Sequence, residues 1–188
     1  MFRQIVDTLI PTVEEREARA LAFVVLEDAF GLSRTDIYLG KDTAFSEDDT
    51  IRLEKILRRL EQGEPVQYVI GTAQFCDLTF RVTPDTLIPR PETEELVGWV
   101  ASLLPSEAPC SVLDVGTGTG CIAISLAKQF PNAQVTAWDI SEEALAVAQQ
   151  NAQANGVVVD FRRTDVLEVV NESAASAPSS DALYIVSN

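Results

Sequence analysis

The chain has 188 residues, 46% hydrophobic and 23% charged, with a formal net charge of −15 and no histidine. That length holds one good core or two small ones, and the composition excludes a disordered or collagen-like chain. Residues 1–73 carry 9 basic and 14 acidic side chains and residues 74–188 carry 5 and 15, so no lysine- and arginine-rich face is at hand to replace the counterions of a nucleic acid.

The opening MFRQIVDTLIPTVEERE has acids and a proline where a signal peptide carries its apolar stretch. No apolar run approaches the ~18–20 residues of a membrane span. A soluble, unprocessed, cytoplasmic protein without a membrane partner is expected, and a monomer. Through residue 62 the apolar positions recur at helical spacing, Ala18, Ala22, Val25 and Ala29 in one segment and Leu53, Ile56, Leu57 and Leu60 in another, which predicts a small bundle. Thr12 and Ser46 stand where N-caps would, and Gly31 and Gly63 where helices would stop. The pairs Arg58-Arg59 and Arg162-Arg163 read as solvated faces.

From Gly71 to Pro91 the period changes to alternation, Leu78, Phe80 and Val82, and prolines follow at 84, 89 and 91, which predicts a short hairpin and a stiff linker. A helix then starts at Pro91 and shows Leu96, Val97, Val100, Leu103 and Leu104 on one face. From Ser111 the order is strand, glycine turn, helix, strand, helix, strand: SVLDVG, a helix with Ala123 and Leu126, QVTAWDI, SEEALAVAQQNAQANG capped by Ser141, then VVVDFRRTDVLE. This alternation predicts a parallel sheet with helices on its faces. Residues 171–181 read as a polar loop and ALYIVS as a further strand. The expected division is a helical domain over 1–73, a hairpin linker over 74–90 and a ligand-binding domain over 91–188. Cys76, Cys110 and Cys121 are odd in number and widely spaced, so neither a disulfide framework nor a zinc site is suggested, and no metal is expected.

The strongest local signal is Asp114-Val115-Gly116-Thr117-Gly118-Thr119-Gly120, between a buried-looking strand and a helix. Glycines suit a place where a ligand lies against bare main chain, and amides at the helix start could bind its polar atoms; a tight turn without a ligand is the plain alternative. A dinucleotide site would need GxGxxG, but Cys121 fills the third glycine position, and no P-loop motif is present. Asp139, ending the next strand, could accept hydrogen bonds from both hydroxyls of a ribose, or could merely cap a helix. Asp165, at the end of the third strand, could face an adenine amino group, or serve no ligand.

DVGTGTG followed by Asp139 resembles the Rossmann-like S-adenosylmethionine-dependent methyltransferases. Three further segments, Gly63-Glu64-Pro65-Val66-Gln67-Tyr68-Val69-Ile70-Gly71, Leu87-Ile88-Pro89-Arg90-Pro91-Glu92-Thr93-Glu94 and the terminal Ile185-Val186-Ser187-Asn188, are similar to the HemK/PrmC family of release-factor glutamine methyltransferases. The resemblance implies an α/β fold: a Rossmann-like sheet, incomplete here, behind an N-terminal all-α bundle that recognises substrate or simply caps the catalytic domain. It further implies S-adenosylmethionine as cofactor, held by Gly116, Thr117, Gly118, Thr119, Gly120, Asp139, Asp165, Val166 and Asn188. Val166 stands where relatives often have an aromatic beside the adenine, and Leu183 where a strand aspartate is frequent. In the family the last strand runs into Asn-Pro-Pro-Tyr, so Asn188 would be its catalytic and substrate-binding asparagine, and the chain reads as a truncated form that binds cofactor without turnover.

The implied reaction is methyl transfer to the side-chain amide nitrogen of the glutamine in the GGQ loop of peptide chain release factors. An amide nitrogen is a poor nucleophile, so positioning and electrostatics must do the catalysis, with the Asn188 oxygen accepting an amide N–H. Arg90 and Glu92 either order the edge of the site or are ordinary residues of a helix start. Two other functions stay open: an N6-adenine DNA methyltransferase, against which the acidic charge and LIPRPETE count, and a non-catalytic cofactor-binding or interaction module.

Overall fold

The computed structural model describes residues 1–40, 45–105, 110–169 and 182–188. The chain divides into two compact units, Met1–Thr72 and Ala73–Asn188, each with its own core. Residues 74–90, read from sequence as a linker, fall within the second unit.

The first unit is helical: α1 (Phe2–Leu9), α2 (Glu15–Val24) continuing into a π-helical turn (Val25–Ala29), α3 (Arg34–Tyr38), α4 (Glu47–Glu61) and α5 (Val66–Ile70). Its core gathers Ile5, Leu9, Ala18, Ala22, Val25, Leu26, Leu53 and Leu60, the residues that helical spacing picks out and a few more. Ser46 caps α4 in a capping box with Asp49: its hydroxyl accepts the Asp49 amide at 3.1 Å and the Asp49 carboxylate accepts the Ser46 amide at 3.1 Å. Gly63, at φ +79°, ends that helix, and the Glu64 amide reaches back to the Arg59 carbonyl. Thr12 does not cap α2. Its hydroxyl donates to the Leu9 carbonyl at 2.9 Å and so closes α1, while Glu14 occupies the α2 N-cap without a side-chain bond.

A hairpin begins at the boundary between the units, its β1 (Thr72–Phe75) starting on the last residue of the first and its β2 (Leu78–Arg81) lying in the second, turned through Cys76 and Asp77, both at positive φ as a two-residue turn of right-handed twist requires. Phe75 and Phe80 meet edge to face in the unit's core. Next comes α6 (Pro91–Leu103), with Pro91 at its first position. Val97 and Val100 are buried on it, whereas Leu103, expected on the same face, is 53% exposed.

A four-stranded parallel sheet follows, built from β3 (Ser111–Val115), β4 (Gln134–Asp139), β5 (Asp160–Arg163) and β6 (Leu183–Ser187) in the order β5-β4-β3-β6. Its helices are α7 (Cys121–Gln129) and α8 (Glu142–Asn155), the latter capped by Ser141 through the Ala144 amide and ended by Gly156 at φ +67°. The stretch VVVDFRRTDVLE is not one strand. Only Asp160–Arg163 pairs with β4; Val158 lies in solvent, and Val166–Val169 forms a helical turn, α9. The polar stretch 171–181 lies outside the described residues.

Candidate functional site

The strand order places the site. Chain order moves from β3 outward through β4 to β5, then returns to the other side of β3 for β6, so the direction reverses beside β3. At such a switch point the loops leaving two strands diverge and open a crevice at their carboxyl ends. Register brings the candidates to that edge: Val115 pairs with Trp138 and with Ser187, and Asp139 pairs with Arg163. Gly116, Asp139 and Asn188 therefore sit at the ends of three neighbouring strands, with Asp165 two residues past the fourth.

Within the turn from β3 to α7 the three glycines do different work. All have positive φ: 75° at Gly116, 54° at Gly118 and 80° at Gly120. A Cβ on Gly116 or Gly118 would meet nothing within 4 Å, so both present bare main chain to open space. At Gly120 a Cβ would come within 2.8 Å of Ile124 Cδ1 and 3.1 Å of Ala148 Cβ, so this glycine lets α7 and α8 close together. Thr117 and Thr119 are buried, and the Thr117 hydroxyl donates to Asp114 Oδ2 at 2.6 Å.

Four amides of the turn ahead of α7 are committed within the fold. Gly116 and Thr117 donate to the Trp138 carbonyl, both at 2.9 Å, Gly120 donates to the Thr117 carbonyl at 2.8 Å, and Gly118 donates to Asp139 Oδ2 at 2.9 Å. A cradle for phosphate needs converging unpaired amides, and four of these are spent. The turn offers close approach instead.

Asp139 faces the turn. Its Oδ2 accepts the Gly118 amide and its Oδ1 accepts the Ser141 amide at 3.0 Å, which fixes the carboxylate plane and leaves each oxygen further lone-pair capacity for a pair of hydroxyl donors. Asp114 lies beneath, 1% exposed; Oδ2 accepts Thr117 and the Ala123 amide at 3.3 Å, while Oδ1 has no partner among the described residues. Burial pushes its carboxyl up to about 6, against the pull of the Thr117 hydroxyl and the Ala123 amide, and the Asp139 charge adds to the rise. Burial also raises the Cys121 thiol to about 11, which removes it as a nucleophile.

Asp165 spends Oδ1 on the Leu167 amide at 2.9 Å and so starts α9, and Val166 beside it is 39% exposed. The Asn188 carboxamide bonds Thr93 Oγ1 at 2.5 Å, tying the end of β6 to the first turn of α6. Glu94 accepts the Cys76 amide at 2.8 Å and ties the same turn to the hairpin. Within LIPRPETE, Thr93 and Glu94 make these two bonds; Thr93, buried in a helix start, carries no signal of its own in the sequence. Asn151 was missed as well. It is 1% exposed on α8 and bonds the Thr119 carbonyl. The arginine pairs are neutralised locally, Arg58 by Glu54, Arg59 by Glu64, Arg162 by Asp160 and Arg163 by Glu142.

Residues 6–71 match the PrmC N-terminal domain and residues 112–186 a methyltransferase domain. The release factor glutamine methyltransferase of Bacteroides thetaiotaomicron is 49% identical over 150 residues, covering 80% of this chain and 53% of that protein. Its counterpart from Flavobacterium psychrophilum is 42% identical over 168 residues, covering 88% and 59%. The chain thus spans about half the length of the curated relatives it matches. Among solved structures, a SAM-dependent methyltransferase from Agrobacterium tumefaciens shares the fold, with a TM-score of 0.51 and 19% identity over 61% of this chain and 38% of that one. With a PrmC N-terminal domain followed by a methyltransferase domain, the chain belongs to the PrmC family.

Proposed function

We propose that this chain provides the cofactor site of an S-adenosylmethionine-dependent methyltransferase that modifies the side-chain amide nitrogen of a glutamine in peptide chain release factors. The observation that carries the reading is the Asp139 carboxylate held at 2.9 Å from the Gly118 amide beside the open main chain of Gly116 and Gly118. A nucleoside fits there: its sugar hydroxyls meet a fixed carboxylate, and its tail lies where no Cβ intrudes. S-adenosylmethionine would supply an electrophilic methyl group, the C–S electrons staying on sulfur as the amide nitrogen takes the methyl and releases a proton. The chain's own part is to hold and orient. Asp139 grips the ribose, Asp165 and Val166 border the adenine, and Asn188, tethered by Thr93, presents its carboxamide oxygen to the substrate N–H. These 188 residues contain no histidine, so none of their side chains supplies an imidazole.

The protein substrate is supported by the family of the N-terminal unit, and the pairing of each surface arginine doublet with acids speaks against a DNA duplex. Calorimetric titration with S-adenosylmethionine should show binding that weakens at least about tenfold in Asp139→Ala, the scale of losing charge-assisted hydrogen bonds. The gene product that carries this chain, given labelled cofactor together with a release factor and an oligonucleotide, should label the release factor. Label on the oligonucleotide alone would replace this reading with an adenine methyltransferase, and cofactor binding without either product would leave a non-catalytic module.

A further inference from the structure

The hairpin β1–β2 lies outside the parallel sheet, and nothing in the reading above gives it a role at the cofactor turn. One buried side chain connects the two. Asn151 Oδ1 accepts the Arg81 amide at 2.7 Å, and Nδ2 donates to the Arg81 carbonyl at 3.0 Å and to the Thr119 carbonyl at 2.9 Å. Toward Arg81 the carboxamide acts as a neighbouring strand would, satisfying both main-chain groups of one residue; its second N–H is aimed at the glycine turn. No other side chain of this length has one acceptor and two donors in a plane: Asp lacks the donors, and Ser or Thr has a single one. A helix interior is a poor place for Asn on propensity alone, so its presence at 1% exposure calls for such bonds.

The surroundings support the link. Asn155, one turn on, donates to the Thr79 carbonyl at 3.1 Å, and Gln150 accepts Arg81 Nη1 at 2.8 Å, so α8 grips β2 at three points. Of these three side chains only Asn151 also bonds the turn, next to Gly120, where Ala148 of the same helix is already in tight contact. At its other end the hairpin is fastened by the bond from the Cys76 amide to Glu94, whose neighbour Thr93 holds Asn188.

Resting on the cofactor assignment made above, we infer that Asn151 is a positioning residue that locks the hairpin to the glycine turn, so that occupancy of the turn and order of β2 are coupled. Coupling of this kind is reciprocal: if an ordered β2 favours the binding conformation of the turn, ligand in the turn must steady β2. Residue-resolved amide hydrogen exchange on the unaltered protein, with and without S-adenosylmethionine, reads this directly. Binding should slow exchange at Gly118 and also at Arg81, whose amide is held by Asn151. Slowing at Gly118 with Arg81 unchanged would overturn the inference; no binding at all would overturn the cofactor assignment instead.

Two variants give a second, independent readout. Asn151→Asp and Asn155→Asp each remove donors between α8 and β2 and should both lower thermal stability. Only Asn151→Asp sets a carboxylate oxygen against the Thr119 carbonyl, and its affinity for S-adenosylmethionine should fall about tenfold beyond that of Asn155→Asp. Equal affinities in the two variants would reduce Asn151 to a structural residue. Should Asn151→Asp fail to fold, Asn151→Ser, which keeps one donor, takes its place with the same criterion.

Discussion

Asp114 is the residue whose chemistry departs furthest from what its type suggests. A carboxyl group buried at a strand end, with one oxygen bonded twice and the other without a partner among the described residues, is pushed up to about 6 from the usual 3.8. Since the folded form holds its proton more tightly than the unfolded chain, the stability this group contributes is complete below about pH 4, declines as pH rises through about 6, and changes no further above that. The whole effect is roughly 3 kcal/mol, at about 1.4 kcal/mol per pH unit. Asn cannot ionise, so Asp114→Asn should gain on the wild type by up to that amount between about pH 4 and about pH 6, measured as denaturant midpoints on both proteins across the range. Parallel profiles would show that Asp114 does not titrate in this window.

At the scale of elements, the turn from β3 into α7 separates glycines that serve a ligand from one that serves packing. Gly120→Ala would force a methyl to 2.8 Å from Ile124 and 3.1 Å from Ala148 at φ +80°, and should destabilise the unit by more than about 2 kcal/mol, since overpacking and strained backbone each cost of order 1–3 kcal/mol. Gly118→Ala meets open space and pays only the backbone strain, about 1 kcal/mol. Chemical denaturation should rank the two variants in that order, and calorimetry should find cofactor binding impaired in the folded Gly118→Ala protein. Equal loss of stability in both would contradict the division of labour. The hairpin repeats the pattern at larger size: Phe75 and Phe80 anchor it in the core, while its edge groups are spent on α8.

For the whole molecule, both tryptophans, Trp99 and Trp138, lie in the second unit, so tryptophan fluorescence follows that unit. A ligand that binds only the folded form adds about 2.7 kcal/mol of stability at a hundred times its dissociation constant. Saturating S-adenosylmethionine should therefore raise the fluorescence-detected melting temperature by several degrees. A midpoint that ignores the cofactor would place the ligand elsewhere than the β3–α7 turn. Among the described residues no helix is long and apolar enough to cross a membrane, and no group of His, Cys, Asp or Glu is arranged to hold a metal.

Much of this was legible in the chain itself. Helical spacing, the Ser46 and Ser141 caps, the βαβ alternation and the glycine turn are local or periodic features, and short-range sterics and burial fix them without knowledge of what lies across the fold. Local signals failed where two elements compete for the same residues: Thr12 closed the helix before it rather than opening the next, and the strand read over residues 157–168 shrank to the four residues that β4 can pair. Which glycines stay open, which amides are already spent, and that Asn151 joins residues 70 and 32 positions away were decided only by tertiary structure. Such contacts depend on where separate elements come to rest, and no periodicity within either element encodes them.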